Sequence, residues 1–186
     1  MRHAHIEEMT QTHSAVARVP ALNIGSPPRF YCDEMLGHLA RFLRSAGYDT
    51  RLACDGAADR KILREAAEEG RWLLTLDRCI MEHKLSRGVA ILLQQGTLDS
   101  HVEFLGNHFE LDFLEQSFTR CLIDNALLVQ ASAAHYARVP ESSQKLAQEA
   151  AKHCPECGRV YWRGSHFQRM RRRLVGWQER RSAETC

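Results

Sequence analysis

Short apolar runs alternate with segments of helical period between residues 29 and 93, and this alternation constrains the fold more than any other feature of the chain. The runs at 29–32, 48–52, 72–75 and 89–93 predict strands. Between them, apolar residues recur at helical spacing in 35–46 and 59–67, and Gly47 and Gly70 mark the helix ends. Strands alternating with helices predict an α/β fold with a parallel sheet flanked by helices, whose ligand sites lie beyond the carboxyl ends of the strands.

Three aspartates are candidates for a metal site at that edge. Asp33 directly follows the first strand, Asp77 comes two residues after the third, and Asp59 begins a helix that can direct it there. Converging carboxylates repel one another unless a hard divalent ion lies between them, so the pattern favours Mg²⁺ or Mn²⁺ and hydrolysis of a phosphodiester. The alternative is that these residues are helix caps. Glu34, Asp55 and Asp99 are weaker candidates, and the simpler interpretation of each is a solvated loop charge or a helix cap.

The charges of the chain are unevenly distributed. The net charge is only +2, yet residues 159–181 contain eight arginines and one acid, Glu179. A cationic surface beside an acidic metal pocket can hold a polyanion such as RNA.

The hydropathy and cysteine patterns bear on the compartment. No apolar run approaches the roughly 20 residues that span a bilayer. The seven cysteines are odd in number and unevenly placed, which suits reduced thiols and a metal site better than a disulfide framework. We therefore predict a cytoplasmic protein with no membrane partner.

The second half of the chain contains a metal-binding signal. Cys154-x-x-Cys157-Gly158 has the spacing of a knuckle that delivers two thiolates to one tetrahedral zinc ion. One knuckle supplies only half of a site. An arginine-rich helix with an N-cap at Ser165 is predicted after it.

Several motifs together resemble the mut-seven C-terminal RNase domain family. They are YCDEMLGHLARFLR at 31–44, GYDT at 47–50 and LLTLDR at 73–78, and the match runs from about Phe30 to Leu174. The resemblance implies a PIN-like RNase domain with a fused zinc ribbon, and it places the Mg²⁺- or Mn²⁺-binding acids on Asp33, Asp59 and Asp77. It also implies that Arg41, Arg44 and Arg78 are basic positions that could contact phosphates.

The family pattern also contains a first zinc knuckle, and this chain departs from it at one position. Where the family has Cys-x-x-Cys-Asn, this chain has Cys121-Leu-Ile-Asp124-Asn125. Because a carboxylate is an allowed zinc ligand, a structural site of Cys121, Asp124, Cys154 and Cys157 is chemically possible, although weaker than four thiolates. The alternatives are a fourth ligand from His135 or His153, or loss of the ion.

The closing motif after the knuckle, VYWRGSH at 160–166, also matches the family. Tyr161 and Trp162 could stack on bases or pack the ribbon onto the helix. The arginines predicted to hold an RNA backbone are Arg163, Arg169, Arg171, Arg172 and Arg173.

The predicted protein is a metal-dependent endoribonuclease that binds RNA. Its predicted organisation is a disordered leader at 1–28, a PIN-like RNase domain at 29–117, a zinc-ribbon module with a basic helix at 118–178, and a tail at 179–186. The alternatives are a non-catalytic RNA-binding zinc-ribbon protein and a PIN-like toxin of a toxin–antitoxin pair. The sequence does not identify a protein partner.

Overall fold

A four-stranded parallel sheet forms the centre of the molecule in the computed structural model, which describes residues 26–54 and 56–184. The strands are β1 (Phe30–Cys32), β2 (Thr50–Leu52), β3 (Trp72–Thr75) and β4 (Ala90–Leu92), in the order β2-β1-β3-β4. Every residue of β1 and β3 is buried, as expected of parallel strands covered on both faces. The predicted α/β fold is confirmed. All but the last three residues of the predicted leader lie outside the described residues.

Helices cover both faces of this sheet. They are α1 (Gly37–Ser45), α2 (Asp59–Glu68), α3 (Arg78–Glu82) and α4 (Leu98–Phe109). The apolar spacing of α1 is what builds the core, because it directs Leu39, Phe42 and Leu43 inward against β1 and β3. On the other face, α2 buries Ile62 and Leu63 against the opposite side of the same strands.

A small antiparallel sheet follows in the second half of the chain. It consists of β5 (Val129–Gln130), β6 (Lys152–His153) and β7 (Val160–Tyr161), in the order β5-β6-β7. Two helices, α5 (Ala133–Tyr136) and α6 (Glu141–Ala150), connect β5 to β6. Their core is small and is built mainly around Val139 and the alanines at 131, 147 and 151. So small a core buries little apolar surface, and the region needs support from elsewhere.

The long C-terminal helix, α7 (Ser165–Glu184), packs on the main domain. Met170, Leu174 and Trp177 are buried in the same core as α1 and α4, and the Trp177 ring meets Phe42 edge-on at 5.0 Å between centroids. The described part of the segment expected to be a tail, 179–184, is the end of this helix rather than a separate element. No helix among the described residues is long and apolar enough to cross a membrane.

Candidate functional site

Asp33 lies at the carboxyl end of β1, where the sequence placed it. Its Oδ1 accepts a hydrogen bond of 2.7 Å from the Glu34 N–H and so caps the 3₁₀ turn that leads into α1. Its Oδ2 accepts a 2.9 Å bond from the Thr75 hydroxyl. Asp33 is therefore a helix cap and an edge carboxylate at once, and the two interpretations do not exclude each other.

Asp77 lies beside it, two residues beyond β3. Its backbone N–H donates to Thr75 Oγ1 at 2.9 Å, and its carboxylate accepts from the Cys79 N–H at 2.8 Å to cap α3. The buried Thr75 side chain is therefore bonded to both Asp33 and Asp77. Thr75 was not among the predicted site residues, although a polar residue ending a buried strand was the available signal.

Asp59, the third predicted acid, lies near His83. It is the first residue of α2, its side chain is 41% exposed, and one oxygen lies 3.9 Å from His83 Nε2. Within the described ranges, Asp33, Asp59 and Asp77 do not form a group whose oxygens are close enough to share one ion. The carboxyl edge thus presents two neighbouring acids and a third one apart from them.

The weaker acidic candidates have other contacts or are not described. Glu34 accepts a 3.3 Å bond from the Gly56 N–H. Asp99 accepts bonds from Arg173 and from the Trp177 indole at 2.9 and 2.7 Å, so it anchors α7 to the start of α4. Asp55 lies outside the described residues.

We call the end of the parallel sheet that carries Asp33 and Asp77 the acidic edge. The three arginines predicted to contact phosphates near it differ sharply in exposure. Arg41 and Arg78 are exposed. Arg44 is only 4% exposed, and its guanidinium donates to the backbone carbonyls of Thr50, Leu122 and Ile123 at 2.7–3.0 Å. A buried guanidinium that is bonded to three backbone carbonyls is not accessible to a phosphate. The structure therefore contradicts the phosphate contact predicted for Arg44, which instead joins α1 to the knuckle.

The arginines after the second knuckle also fall into two groups. Arg163, Arg169, Arg171 and Arg172 are exposed. Arg173 bonds to Asp99, and its guanidinium lies over the rings of Phe42 and Trp177, 5.0 and 5.2 Å from their centroids. Arg173 is therefore part of the helix packing.

The four residues predicted as zinc ligands lie together. One ligand atom each from Cys121, Asp124, Cys154 and Cys157 falls within 4.8 Å of the others, and this is the only such group of metal-ligating side chains in the described part of the chain. The Cys121 and Cys157 sulfurs are 3.7 Å apart, and the Cys154 sulfur is 3.3 Å from each Asp124 oxygen. We call these four residues the Cys/Asp cluster. It could hold a metal ion such as zinc.

The four side chains of the Cys/Asp cluster shift one another's pKa values. The hydrogen bond to Asp124 raises the pKa of the Cys157 thiol to about 12. Burial acts to raise the pKa of Asp124, but hydrogen bonds from the Cys157, Cys121 and Cys154 thiols outweigh it and lower that pKa to about 2. These opposite shifts favour a charged Asp124 carboxylate and oppose ionisation of the Cys157 thiol. Binding of a metal ion by cysteine thiolates releases protons, so the metal affinity of such a cluster depends on pH.

Tyr161 supports the cluster from behind. Its hydroxyl lies 3.0 Å from the Cys121 sulfur and 3.2 Å from the Leu122 backbone N. Tyr161 therefore has a structural contact at the cluster, a role that the sequence analysis did not anticipate.

The alternative histidine ligands lie outside the cluster. The rings of His135 and His153 stack on each other with centroids 3.8 Å apart. His135 Nδ1 is bonded to Ser132. Among the candidate fourth ligands, the structure brings only Asp124 to the thiols.

The first knuckle is fastened to the parallel sheet. Asn125 adopts a left-handed backbone conformation with φ of 73°, donates to Asp49 at 2.7 Å, and accepts from the Thr50 N–H at 3.0 Å. Together with Arg44, these bonds couple the Cys/Asp cluster to β2 and α1. The two halves of the chain therefore share one framework.

Comparison with known protein families places the chain in one of them. Residues 28–174, more than three quarters of the chain, match the family described as the Mut7-C RNAse domain. The chain belongs to this family, as its sequence motifs predicted, and the family indicates a ribonuclease-type function. Neither the comparison with curated proteins nor that with solved structures gave a significant match.

Proposed function

We propose that this protein is a metal-dependent ribonuclease of PIN-like type, in which Asp33 and Asp77 hold Mg²⁺ or Mn²⁺ and Asp59, the third acid of the family pattern, joins them only in the complex with metal and RNA. The observation that carries the proposal is the shared contact of Thr75, whose hydroxyl bonds to the Asp33 carboxylate and to the backbone N–H of Asp77 at the carboxyl edge of the sheet. That edge is where α/β proteins bind their ligands. Membership of an RNase family supplies the reaction class.

The donor atoms at this edge fit a hard divalent cation. They are carboxylate oxygens, and each carboxylate retains lone pairs beyond the cap bonds that it accepts. The bound ion supplies a water of lowered pKa and positive charge for the phosphodiester. Thr75 orients Asp33, and we assign the contacts to RNA phosphates to Arg41 and Arg78, which are exposed.

We also propose that the Cys/Asp cluster holds a structural zinc ion. Two sulfurs at about 2.3 Å from a tetrahedral zinc are about 3.8 Å apart, which agrees with the 3.7 Å between Cys121 and Cys157. All four ligands come from the protein, as in structural rather than catalytic zinc sites. The zinc would stabilise a region whose apolar core is small.

Cleavage of end-labelled single-stranded RNA in Mn²⁺ tests the acidic edge. We expect Asp77→Asn and Asp33→Asn to lose at least about 100-fold in rate, or about 2.7 kcal/mol of transition-state stabilisation. Asp112→Asn is the matched control, because Asp112 also caps a turn, accepting from Leu114 and Glu115, but lies outside the edge. It should keep the wild-type rate.

Two outcomes would overturn the proposal. Full activity in Asp33→Asn and Asp77→Asn would remove the acids from the mechanism. RNA binding without cleavage in Mg²⁺ or Mn²⁺, unchanged in both variants, would favour the non-catalytic RNA-binding alternative. A parallel assay with single-stranded DNA establishes whether the 2′-hydroxyl matters.

A further inference from the structure

A broad groove of about 790 Å³ runs between α1, the small sheet and the start of α7. Five arginines line it, and none of the described residues in its lining is acidic. They are Arg41, Arg138, Arg159, Arg169 and Arg173. Arg138 and Arg159 were not predicted to contact RNA. Three arginines that were predicted to do so, Arg163, Arg171 and Arg172, do not line the groove.

Much of this positive charge is uncompensated. Arg138 is bonded to the Gly158 carbonyl, and Arg173 to Asp99. The side chains of Arg41, Arg159 and Arg169 are exposed and, within the described residues, make no hydrogen bond or ion pair. A concave surface with one sign of charge attracts a polyanion and lets its phosphates release bound counterions.

Aromatic rings lie between these charges. Phe118, Trp162 and Phe167 are half-buried in the groove, and the Phe118 and Phe167 rings are 4.3 Å apart at an angle of 44°. Bases of an unpaired strand stack on such rings, whereas a duplex hides its base faces. Arginines interleaved with partly exposed aromatics therefore favour a single strand over a double helix.

The groove is connected to the acidic edge through α1. His38 and Arg41, which line the groove, belong to α1, and α1 begins only four residues after Asp33. At the other wall, Arg173 is bonded to Asp99, which lies in the first turn of α4 after β4. A strand leaving the groove past α1 would therefore reach the carboxyl ends of the parallel strands.

We propose that this groove binds single-stranded RNA and leads it to the acidic edge. The proposal rests on the proposed ribonuclease function for its destination, but binding in the groove can be measured without cleavage. The groove arginines hold the phosphates, and the rings of Phe118, Trp162 and Phe167 receive the bases.

Fluorescence anisotropy with a labelled 12-nucleotide oligouridine, without added Mg²⁺ or Mn²⁺, tests the binding. We expect Arg41→Ala/Arg159→Ala/Arg169→Ala to weaken binding at least about 10-fold and to reduce the salt slope by about 2, since each single-strand phosphate contact adds about 0.7. The charge-matched control, Arg64→Ala/Arg87→Ala/Lys145→Ala, removes exposed cations outside the groove. It should stay within about 3-fold of wild type.

Two further comparisons make the test specific. Phe167→Leu, with its arginines intact, should weaken binding by about 5-fold or more, because stacking contributes about 1–3 kcal/mol per base. A 12-base-pair RNA duplex should compete poorly with the single strand. Equal losses of RNA affinity in the two triple variants, or equal affinity for duplex and single strand, would contradict the proposal that this groove binds single-stranded RNA.

The outcome is separable from that of the proposed function. If the groove variants bind RNA normally while Asp77→Asn still abolishes cleavage, the proposed ribonuclease function is supported and the proposed RNA-binding groove is wrong. If the groove variants lose RNA binding while no metal supports cleavage, the proposed RNA-binding groove is supported and the proposed ribonuclease function is wrong.

Discussion

The Cys/Asp cluster and the acidic edge are both sets of predicted metal ligands, yet they are organised differently. In the cluster, four ligand atoms lie within 4.8 Å, and the two anchoring residues, Cys121 and Cys154, are fully buried. At the edge, Asp33 and Asp77 are joined through Thr75, while one oxygen of Asp59 lies 3.9 Å from His83 Nε2. The protein's own packing gathers one set completely and the other only in part.

This difference is the one expected between a structural and a catalytic ion. A structural zinc site is closed, with all ligands from the protein, so packing and coordination support the same geometry. Mg²⁺ keeps several waters and is bound by one or two carboxylates together with substrate phosphates. On this interpretation, water and RNA phosphates complete the coordination of the metal ion at the acidic edge, and the protein alone does not supply all of its ligands.

The largest expected effect is the loss of the cluster's ion. Cys154→Ser should abolish zinc binding and lower the free energy of unfolding by several kcal/mol, because apparent binding energies reach about 10 kcal/mol or more in small zinc-dependent folds. Metal analysis and thermal unfolding measure both effects. Cys54→Ser is the control, since Cys54 is exposed and outside the cluster. Equal zinc content in wild type and Cys154→Ser would contradict the assignment.

Arg44 and Arg41 provide the next comparison, because they are neighbours on one helix with opposite surroundings. Arg44→Met leaves three buried or half-buried carbonyls without their donor, and should cost about 4 kcal/mol. Arg41→Met changes an exposed side chain and should cost less than about 0.5 kcal/mol. Urea unfolding of both variants decides the matter. A small loss in Arg44→Met would mean that the knuckle is not held through this residue.

The contrast between these arginines also shows what the sequence could predict. Strand and helix periods fixed the parallel sheet, and strand ends placed Asp33 and Asp77 at one edge. The burial of Arg44 depends on carbonyls at 122–123, about 80 residues away in the chain. Nothing in the local pattern of α1 distinguishes it from Arg41. Likewise, the sequence predicted an arginine-rich helix beginning at Ser165 but not that this helix, α7, packs on α1 and α4.

The candidate site divides along the same line. The two knuckles are local motifs, and their meeting in one cluster was predicted because the family pattern pairs them. The groove was not predicted, because Arg138 and Arg159 are distant from α1 in the sequence and come together with Arg41 only when the small sheet docks. Spacing identifies ligands within a turn, whereas a surface shared by separate elements requires the fold.

Asp49 offers a pH-dependent way to test the link between the two regions. Burial acts to raise its pKa, but hydrogen bonds from Arg71 and Asn125 and the charges of Arg71 and Arg120 hold that pKa well below its ordinary value. A carboxyl group with a lowered folded-state pKa stabilises the fold fully above its ordinary pKa of about 3.9, and the stabilisation is lost as pH falls below that value.

We expect Asp49→Asn to cost roughly 3 kcal/mol at pH 7, since it removes one partner of the buried Arg71 while Glu69 remains. The difference from wild type should shrink between about pH 4 and pH 2. Urea unfolding across this range measures it. A difference that stays constant down to pH 2 would show that the charge of Asp49 is not what joins Asn125 and Arg71.

The smallest expected effect concerns the acidic edge without RNA. If waters and substrate complete that site, Mn²⁺ should bind it only loosely and raise the melting temperature of the zinc-loaded protein by about 3–6 °C at ten times its dissociation constant, equivalent to about 1.4 kcal/mol. The shift should vanish in Asp77→Asn, whose zinc content should be unchanged. It should reverse on dialysis, whereas zinc stays bound. A Mn²⁺ shift that persists in Asp33→Asn, Asp59→Asn and Asp77→Asn alike would place the ion elsewhere. A shift lost in Asp33→Asn and Asp77→Asn but kept in Asp59→Asn would instead restrict the site to the two acids that Thr75 joins.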